Sequence, residues 1–297
     1  RDRLRSRGLG DVYKRQVLGC SAETAAKKES HTPGLQVDAP KLEPWQEPSV
    51  LTFEHIGISY EGETALKDVS CSFGGFRKYG IVGPSGCGKS TLLSLISGLL
   101  TPETGSIELM GKPLKESRTN VGYMLQHDHL FEWRNIYHNV LLGLEIQHSL
   151  TAKARKKAHE LLEVYGLEEF ASARPSELSG GMRQRAALVR TLLLEPELLL
   201  LDEPFSALDY QTRLTVGDDI GQILRKEKKT AILVTHDLSE AISLGDRVLI
   251  LSKRPASIQQ TVSLHFDSSI ATPLQRRNAP EFKEYFNMIW KELNEHA

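Results

Sequence analysis

Three patterns of apolar spacing divide the chain, and each predicts a different element. Up to residue 48 no period is sustained. Residues 1–16 are basic and aperiodic and open on Arg rather than Met, and residues 21–48 are rich in Ala, Lys, Glu and Pro. Such composition buries too little apolar surface to fold alone, so residues 1–48 are expected to be a disordered or non-native N-terminal tail. From Val50 the chain alternates. Leu51, Phe53, His55 and residues 58–60, then Leu66, Val69, Cys71 and Phe73, predict two strands joined by a Glu61-Gly62-Glu63 turn. Unbroken apolar runs at 79–82, 198–201 and 231–234 suit central parallel strands covered on both faces. Further strands are predicted over 106–110, 121–125, 247–251 and 257–264. Helical spacing marks 92–100, 136–146 and 151–165, and a helix is expected to open at Ser179 and run to about Leu194. Beyond Pro280, an aromatic stripe of Phe282, Tyr285, Phe286, Ile289, Trp290 and Leu293 predicts a packed terminal helix.

Strands interleaved with helices imply an α/β core. It carries an antiparallel β segment at its start and a helical insertion over about 127–178, within an ordered domain of residues 49–265. Residues 266–297 form a C-terminal helical extension.

Composition narrows the function classes. Apolar residues make up 40% and charged residues 25% of the 297, with a formal net charge of −1. No global basic field argues for nucleic acid. Cys20, Cys71 and Cys87 have no metal-ligand spacing and are odd in number, and a reduced cytosolic chain is the simplest reading. Val17-Leu18-Gly19-Cys20 resembles a lipoprotein cleavage site only faintly, since no apolar segment precedes it. No apolar run reaches the roughly 18 to 20 residues that span a bilayer, so a membrane role would need a partner.

The chemistry concentrates where strands end. Residues 83–91 read Gly-Pro-Ser-Gly-Cys-Gly-Lys-Ser-Thr, satisfying G-x-x-x-x-G-K-[ST] between a strand and a helix. That context aims unpaired backbone N–H groups and the positive end of a helix dipole at one point, where a polyphosphate fits. Gly83, Pro84, Ser85, Gly86, Cys87, Gly88 and Thr91 shape the loop. Lys89 can reach the outer phosphates, and Ser90 can hold Mg²⁺. Asp202 and Glu203 close the 198–201 strand, where α/β sheets bind ligands. Asp202 can hold Mg²⁺ through water, and Glu203 can polarise an attacking water. His236 ends the next buried strand, within reach of a terminal phosphate. Gln126 ends the 121–125 strand, placed either to touch Mg²⁺ or water or to serve as an ordinary loop residue. Position alone does not separate base stacking by Tyr60 from a half-buried strand tyrosine. Ser179, Gly180 and Gly181 form a second N–H-rich helix start able to receive an anion. Residues 206–209 make a turn and helix start. His127, His129 and His138 lack zinc spacing and are expected to be solvated or capping. Phe131, Trp133 and Arg134 form an aromatic and basic cluster, either exposed or core.

Together these motifs resemble, over about residues 50–264, the ATP-binding subunit of an ABC transporter. The resemblance implies a P-loop NTPase core that binds ATP and Mg²⁺ and hydrolyses ATP. It assigns Tyr60 to adenine stacking, residues 83–91 to Walker A, and Gln126 to the Q-loop. Ser179, Gly180 and Gly181 become the signature, Asp202 and Glu203 the Walker B pair, Asp209 the D-loop aspartate, and His236 the switch histidine. Residues 178–185, residues 204–209 and Lys253-Arg254-Pro255 look most like the nitrate, sulfonate and taurine importers, whereas Arg77-Lys78-Tyr79 is more basic and bulky than that pattern. The family also implies a head-to-tail homodimer or pair of ATPase subunits, permease partners, an extracytoplasmic solute-binding protein acting indirectly, and a place at the cytoplasmic face of the membrane. The Gln126 loop and the Phe131-Trp133-Arg134 cluster would receive a permease helix. Two other classes are weighed. An ABC-type ATPase acting on ribosomes would usually carry two cassettes, and one acting on chromosomes would carry a coiled coil, for which residues 92–177 show no sustained heptads. A small-molecule kinase would place phosphate on an acceptor.

Overall fold

The alternating segment becomes an antiparallel sheet and the unbroken runs become a parallel one. The structure, a computed structural model, describes residues 37–38, 49–117 and 120–295. Strands β1 to β6 are Val37–Asp38, Ser49–Tyr60, Glu63–Gly74, Lys78–Val82, Thr104–Leu109 and Lys112–Pro113. Strands β7 to β11 are Val121–Met124, Leu198–Asp202, Thr230–Val234, Arg247–Leu251 and Ile258–Ser263. Helices α1 to α5 are Lys89–Ile96, Leu114–Ser117, Ile136–Ile146, Ala152–Val164 and Gly180–Leu192. Helices α6 to α9 are Tyr210–Lys226, Leu238–Leu244, Pro273–Arg277 and Pro280–Glu295.

A seven-stranded sheet runs in the order β1-β11-β10-β4-β9-β8-β7, and a four-stranded antiparallel sheet in the order β3-β2-β5-β6. In the larger sheet β10, β4, β9, β8 and β7 are parallel neighbours, while β11 and β1 add antiparallel edges. All five residues of β8 and of β9 are buried. Successive side chains of a strand face opposite ways, so these two strands serve two cores. Leu198, Leu200, Ile232 and Val234 pack with the antiparallel sheet and α1, whereas Leu199, Leu201, Ala231 and Leu233 pack with α3 to α6. Each buried leucine contributes about 2 kcal/mol. Phe53, Phe73 and Tyr79 meet edge to face at 5.4 and 4.7 Å, and the buried Tyr79 hydroxyl accepts from the Gly74 N–H at 2.6 Å. Of the basic pair before it, Lys78 is held by a carboxylate. Lys78 Nζ lies 2.9 Å from Asp246 Oδ2, which also accepts from the Lys78 backbone N–H at 2.9 Å.

Two expectations change. Helix α1 stops at Ile96 instead of Leu100, because Gly98 takes a φ of +72°, the left-handed conformation that ends helices. Val37–Asp38, expected within the tail, pairs antiparallel with β11, Val37 opposite Val262 and Asp38 opposite Thr261. Two residues of pairing depend on backbone complementarity and leave no apolar period in the sequence. The Cys20 reading lies outside the described residues. Among those residues no helix is long and apolar enough to cross a membrane.

Helix α9 puts Tyr285 and Ile289 into the interior and leaves Phe282, Phe286 and Trp290 as a stacked row with centroids 6.4 and 6.2 Å apart. The aromatic stripe is therefore split between core and surface.

Candidate functional site

The loop of residues 83–88 joins β4 to α1, and no side chain caps the helix. Its first N–H groups are left to a ligand. Gly88 has φ +121°, and a Cβ there would sit 2.9 Å from Leu66 Cδ2 and 3.5 Å from the Ala65 carbonyl. Only glycine lets the loop lie this close to β3. Lys89 is 7% exposed and donates to the Gly83 and Pro84 carbonyls, both at 2.9 Å, so its ammonium is held across the loop. Cys87 is a buried free thiol beside Gly83, and burial raises its pKa.

The carboxyl ends of β7, β8 and β9 bring three predicted residues together. Gln126 Nε2 donates to Glu203 Oε2 at 3.3 Å, and His236 Nδ1 lies 3.2 Å from the same oxygen. Glu203 takes a φ of +44°, with its N–H donating to the Val234 carbonyl at 2.8 Å. A non-glycine residue in that region stores strain of about 1 to 3 kcal/mol, which the surrounding sheet must hold. Asp202, the last residue of β8, accepts from the Tyr123 hydroxyl at 3.1 Å. Burial raises its pKa, against hydrogen bonds from Tyr123 and Ser90. Ser90 therefore stands beside Asp202. Ser90, Asp202 and Gln126 offer hydroxyl, carboxylate and amide oxygens, the hard donors that suit Mg²⁺.

Tyr60 is 39% exposed at the tip of the β2–β3 hairpin, whose Ala65 and Leu66 back the phosphate loop. Its side chain is partly open to solvent. Ser179 caps α5, accepting from the Met182 N–H at 3.3 Å. The next two glycines turn out to be packing positions. A Cβ on Gly180 would meet Leu208 at 3.2 Å, and one on Gly181 would meet Val216 at 2.9 Å and Thr212 at 3.0 Å. The second helix start thus lies against the turn before α6. Asp209 caps α6 through the Thr212 N–H at 3.0 Å, and the Thr212 hydrogen bond lowers its pKa.

Several residues that shape the site were not singled out from sequence. Tyr123 is one. Asn139 is another: fully buried, it accepts from the Phe131 N–H at 2.7 Å and donates to the Phe131, Arg134 and Asn135 carbonyls at 3.0 to 3.2 Å. It fixes the loop bearing Trp133, which is 74% exposed and stacked on Phe131 at 4.5 Å. The cluster is therefore split, with Trp133 at the surface and Phe131 and Arg134 half-buried. Arg190 donates to the Asp128 and His129 carbonyls at 2.7 and 2.8 Å, and Arg183 pairs with Asp128 at 3.1 Å, tying α5 to the segment after Gln126. A polar residue within a helical period carries no mark of such a partner. His127, His129 and His138 are exposed, and among the described residues no group of three acidic, His or Cys side chains could hold a metal.

Residues 66–206 match the sequence model of the family described as ABC transporter. The chain is 44% identical over 252 residues to an uncharacterized ABC transporter ATP-binding protein, YtlC, of Bacillus subtilis (strain 168), covering 83% of this chain and 96% of that protein. It is 39% identical to the aliphatic sulfonates import ATP-binding protein SsuB of the same organism, covering 77% of this chain and 87% of that one. Among solved structures it resembles the dimeric ATP-binding cassette MJ0796 in a post-hydrolysis state bound to ADP and Pi. The TM-score is 0.63 at 29% identity, covering 73% of this chain and 99% of that one.

Proposed function

The chain belongs to the ABC transporter family, and on that premise we propose that it hydrolyses ATP at residues 83–91, Gln126, Glu203 and His236 to drive import of a small solute through a separate permease. The observation that carries this reading is the shared contact of Gln126 and His236 with one Glu203 oxygen, at 3.3 and 3.2 Å. In this reading the loop amides and Lys89 bind the phosphates, and Tyr60 stacks on the base. Glu203 accepts a proton from the attacking water while Gln126 and His236 fix its carboxylate. Ser90, Asp202 and Gln126 would hold Mg²⁺, whose chemistry when bound is to neutralise charge on the β- and γ-phosphates.

Ser179, Gly180, Gly181 and Asp209 contact phosphate or interface only in a second subunit, so two chains dock head to tail. The local packing supports this, because Ser179 and Asp209 cap adjacent helix starts that meet at Leu208. The exposed Trp133, stacked on the half-buried Phe131, receives a permease helix, which holds the protein peripherally at the cytoplasmic face of the membrane. A sulfonate- or nitrate-like anion is the proposed cargo class, delivered by a solute-binding protein. Glu203→Gln tests the site: it should bind ATP, form a dimer that sedimentation detects, and release phosphate at least a hundredfold more slowly. Wild-type turnover in that variant would remove Glu203 from the role of base.

A further inference from the structure

We propose that Arg213 is a positioning residue for hydrolysis, tying the turn that carries Asp209 to the loop that carries His236. The inference rests on the catalytic reading of His236 given above. Arg213 lies one turn into α6, where its N–H donates to the Asp209 carbonyl at 2.9 Å. Its guanidinium folds back. Nη2 donates to the Leu208 carbonyl at 3.1 Å, Nη1 stands 3.5 Å from Asp237 Oδ2, and Nε stands 3.7 Å from Glu240 Oε1. One planar group therefore touches both elements.

The His236 side chain is 61% exposed, so the residues on either side of it set its place. Both flanking residues belong to the network. Thr235 Oγ1 donates to Glu240 Oε2 at 2.6 Å and accepts from the Asp237 N–H at 3.0 Å. Asp237 Oδ1 caps α7 through the Ser239 N–H at 2.7 Å. Glu240 is 5% exposed and Asp237 11%, which screens the network from water and strengthens its hydrogen bonds. Shifts of the Asp209 turn, which the dimer reading places at the subunit contact, are passed to His236 through a single guanidinium. Lysine cannot replace it, because a point charge does not reach the Leu208 carbonyl and both carboxylates at once.

The test uses the full chain and measures kcat and KM for ATP with Mg²⁺ present, for Arg213→Lys, Asp237→Asn and the double variant. Asp237→Asn keeps an oxygen for the Ser239 cap and removes the charge facing Arg213. Each single variant should lower kcat at least tenfold with KM within twofold of wild type. The double variant should fall no further than the lower single, as expected for one shared interaction. In a Glu203→Gln background, Arg213→Lys should still form the ATP-bound dimer. Wild-type kcat in either single variant, multiplied defects in the double, or a change confined to KM would overturn the proposal. A Glu203→Gln protein that hydrolyses normally would instead defeat the site reading; a stalled Glu203→Gln with an unaffected Arg213→Lys would defeat only the coupling.

Discussion

Gly80 is where β4 and α7 press closest, and replacing it with alanine should disturb both the phosphate loop and His236. A Cβ at this position would lie 2.9 Å from Ala241 Cβ, 3.2 Å from its Cα and 3.3 Å from its carbonyl oxygen. Carbon atoms pack best at about 3.5 to 4.0 Å, so the helix must retreat by roughly 0.6 to 1 Å. Two of the three atoms are backbone, and no rotamer relieves them. Overpacking of this kind costs about 1 to 3 kcal/mol, which lowers the melting temperature of a chain this size by roughly 4 to 8 °C at the middle of that range. Ala241→Gly removes the nearest atom, at a cost of about 2 kcal/mol from one lost methyl and the helix propensity of glycine. Because the Ala241 Cα and carbonyl oxygen remain at 3.2 and 3.3 Å, Gly80→Ala should still cost something once Ala241 is glycine, but clearly less than in the wild type. Urea unfolding of the two single variants and the double should therefore give a coupling energy of about 1 kcal/mol, the share relieved by removing the Ala241 methyl. Additivity within about 0.5 kcal/mol would refute the packing described for this interface. Phosphate release should follow the same cycle, slowed in Gly80→Ala and partly restored in the double.

Asn139→Ala should destabilise the protein by about 2 kcal/mol in urea unfolding, because it strands the half-buried Phe131 N–H and takes the amide donor from the Arg134 carbonyl, while the Phe131 and Asn135 carbonyls keep backbone donors. An effect under about 1 kcal/mol would mean the Phe131–Asn139 contacts are not formed in solution. Burial pushes the Glu240 pKa up to about 7, against its Thr235 hydrogen bond and the facing Arg213 and Arg277, and with Asp237 adding to the rise. The folded state therefore holds this proton more tightly than the unfolded state. The resulting stability, of order 3 kcal/mol, is complete below pH 4.5 and lost as pH rises through about 7. Unfolding free energies of wild type and Glu240→Gln, compared from pH 4.5 to 8, should diverge in favour of Gln as pH rises, and a constant difference would contradict this.

The larger sheet was legible because burial on both faces writes itself as unbroken leucine, isoleucine and valine, as in residues 198–201. The phosphate loop was legible because a strand, three glycines and Lys-Ser stand in a fixed order. Gln126, Glu203 and His236 could be named as candidates, since each follows an apolar run that ends at one edge. Their shared oxygen could not, because Gln126 and Glu203 are 77 positions apart and only strand order makes them neighbours. Gly180 and Gly181 show the converse. Their spacing suggested room for an anion, but the structure gives their missing side chains a second reason, close approach to Leu208 and α6. Arg213, Tyr123 and Asn139 carry no periodic signal at all. Each is defined by an acceptor or donor brought to it by a different element.

The alternating leucines of β8 make the central sheet a partition one residue thick. Substitutions among the helices on one side need not be felt by the side chains that cradle the phosphate loop on the other. In evolutionary terms, the helical half can be rebuilt to fit a new docking partner while the nucleotide half is inherited unchanged. Such freedom stops at the carboxyl edge of the sheet. There Gln126 and His236 meet at one Glu203 oxygen, and on the proposed reading of the site a lineage changing partners would have to keep all three in register.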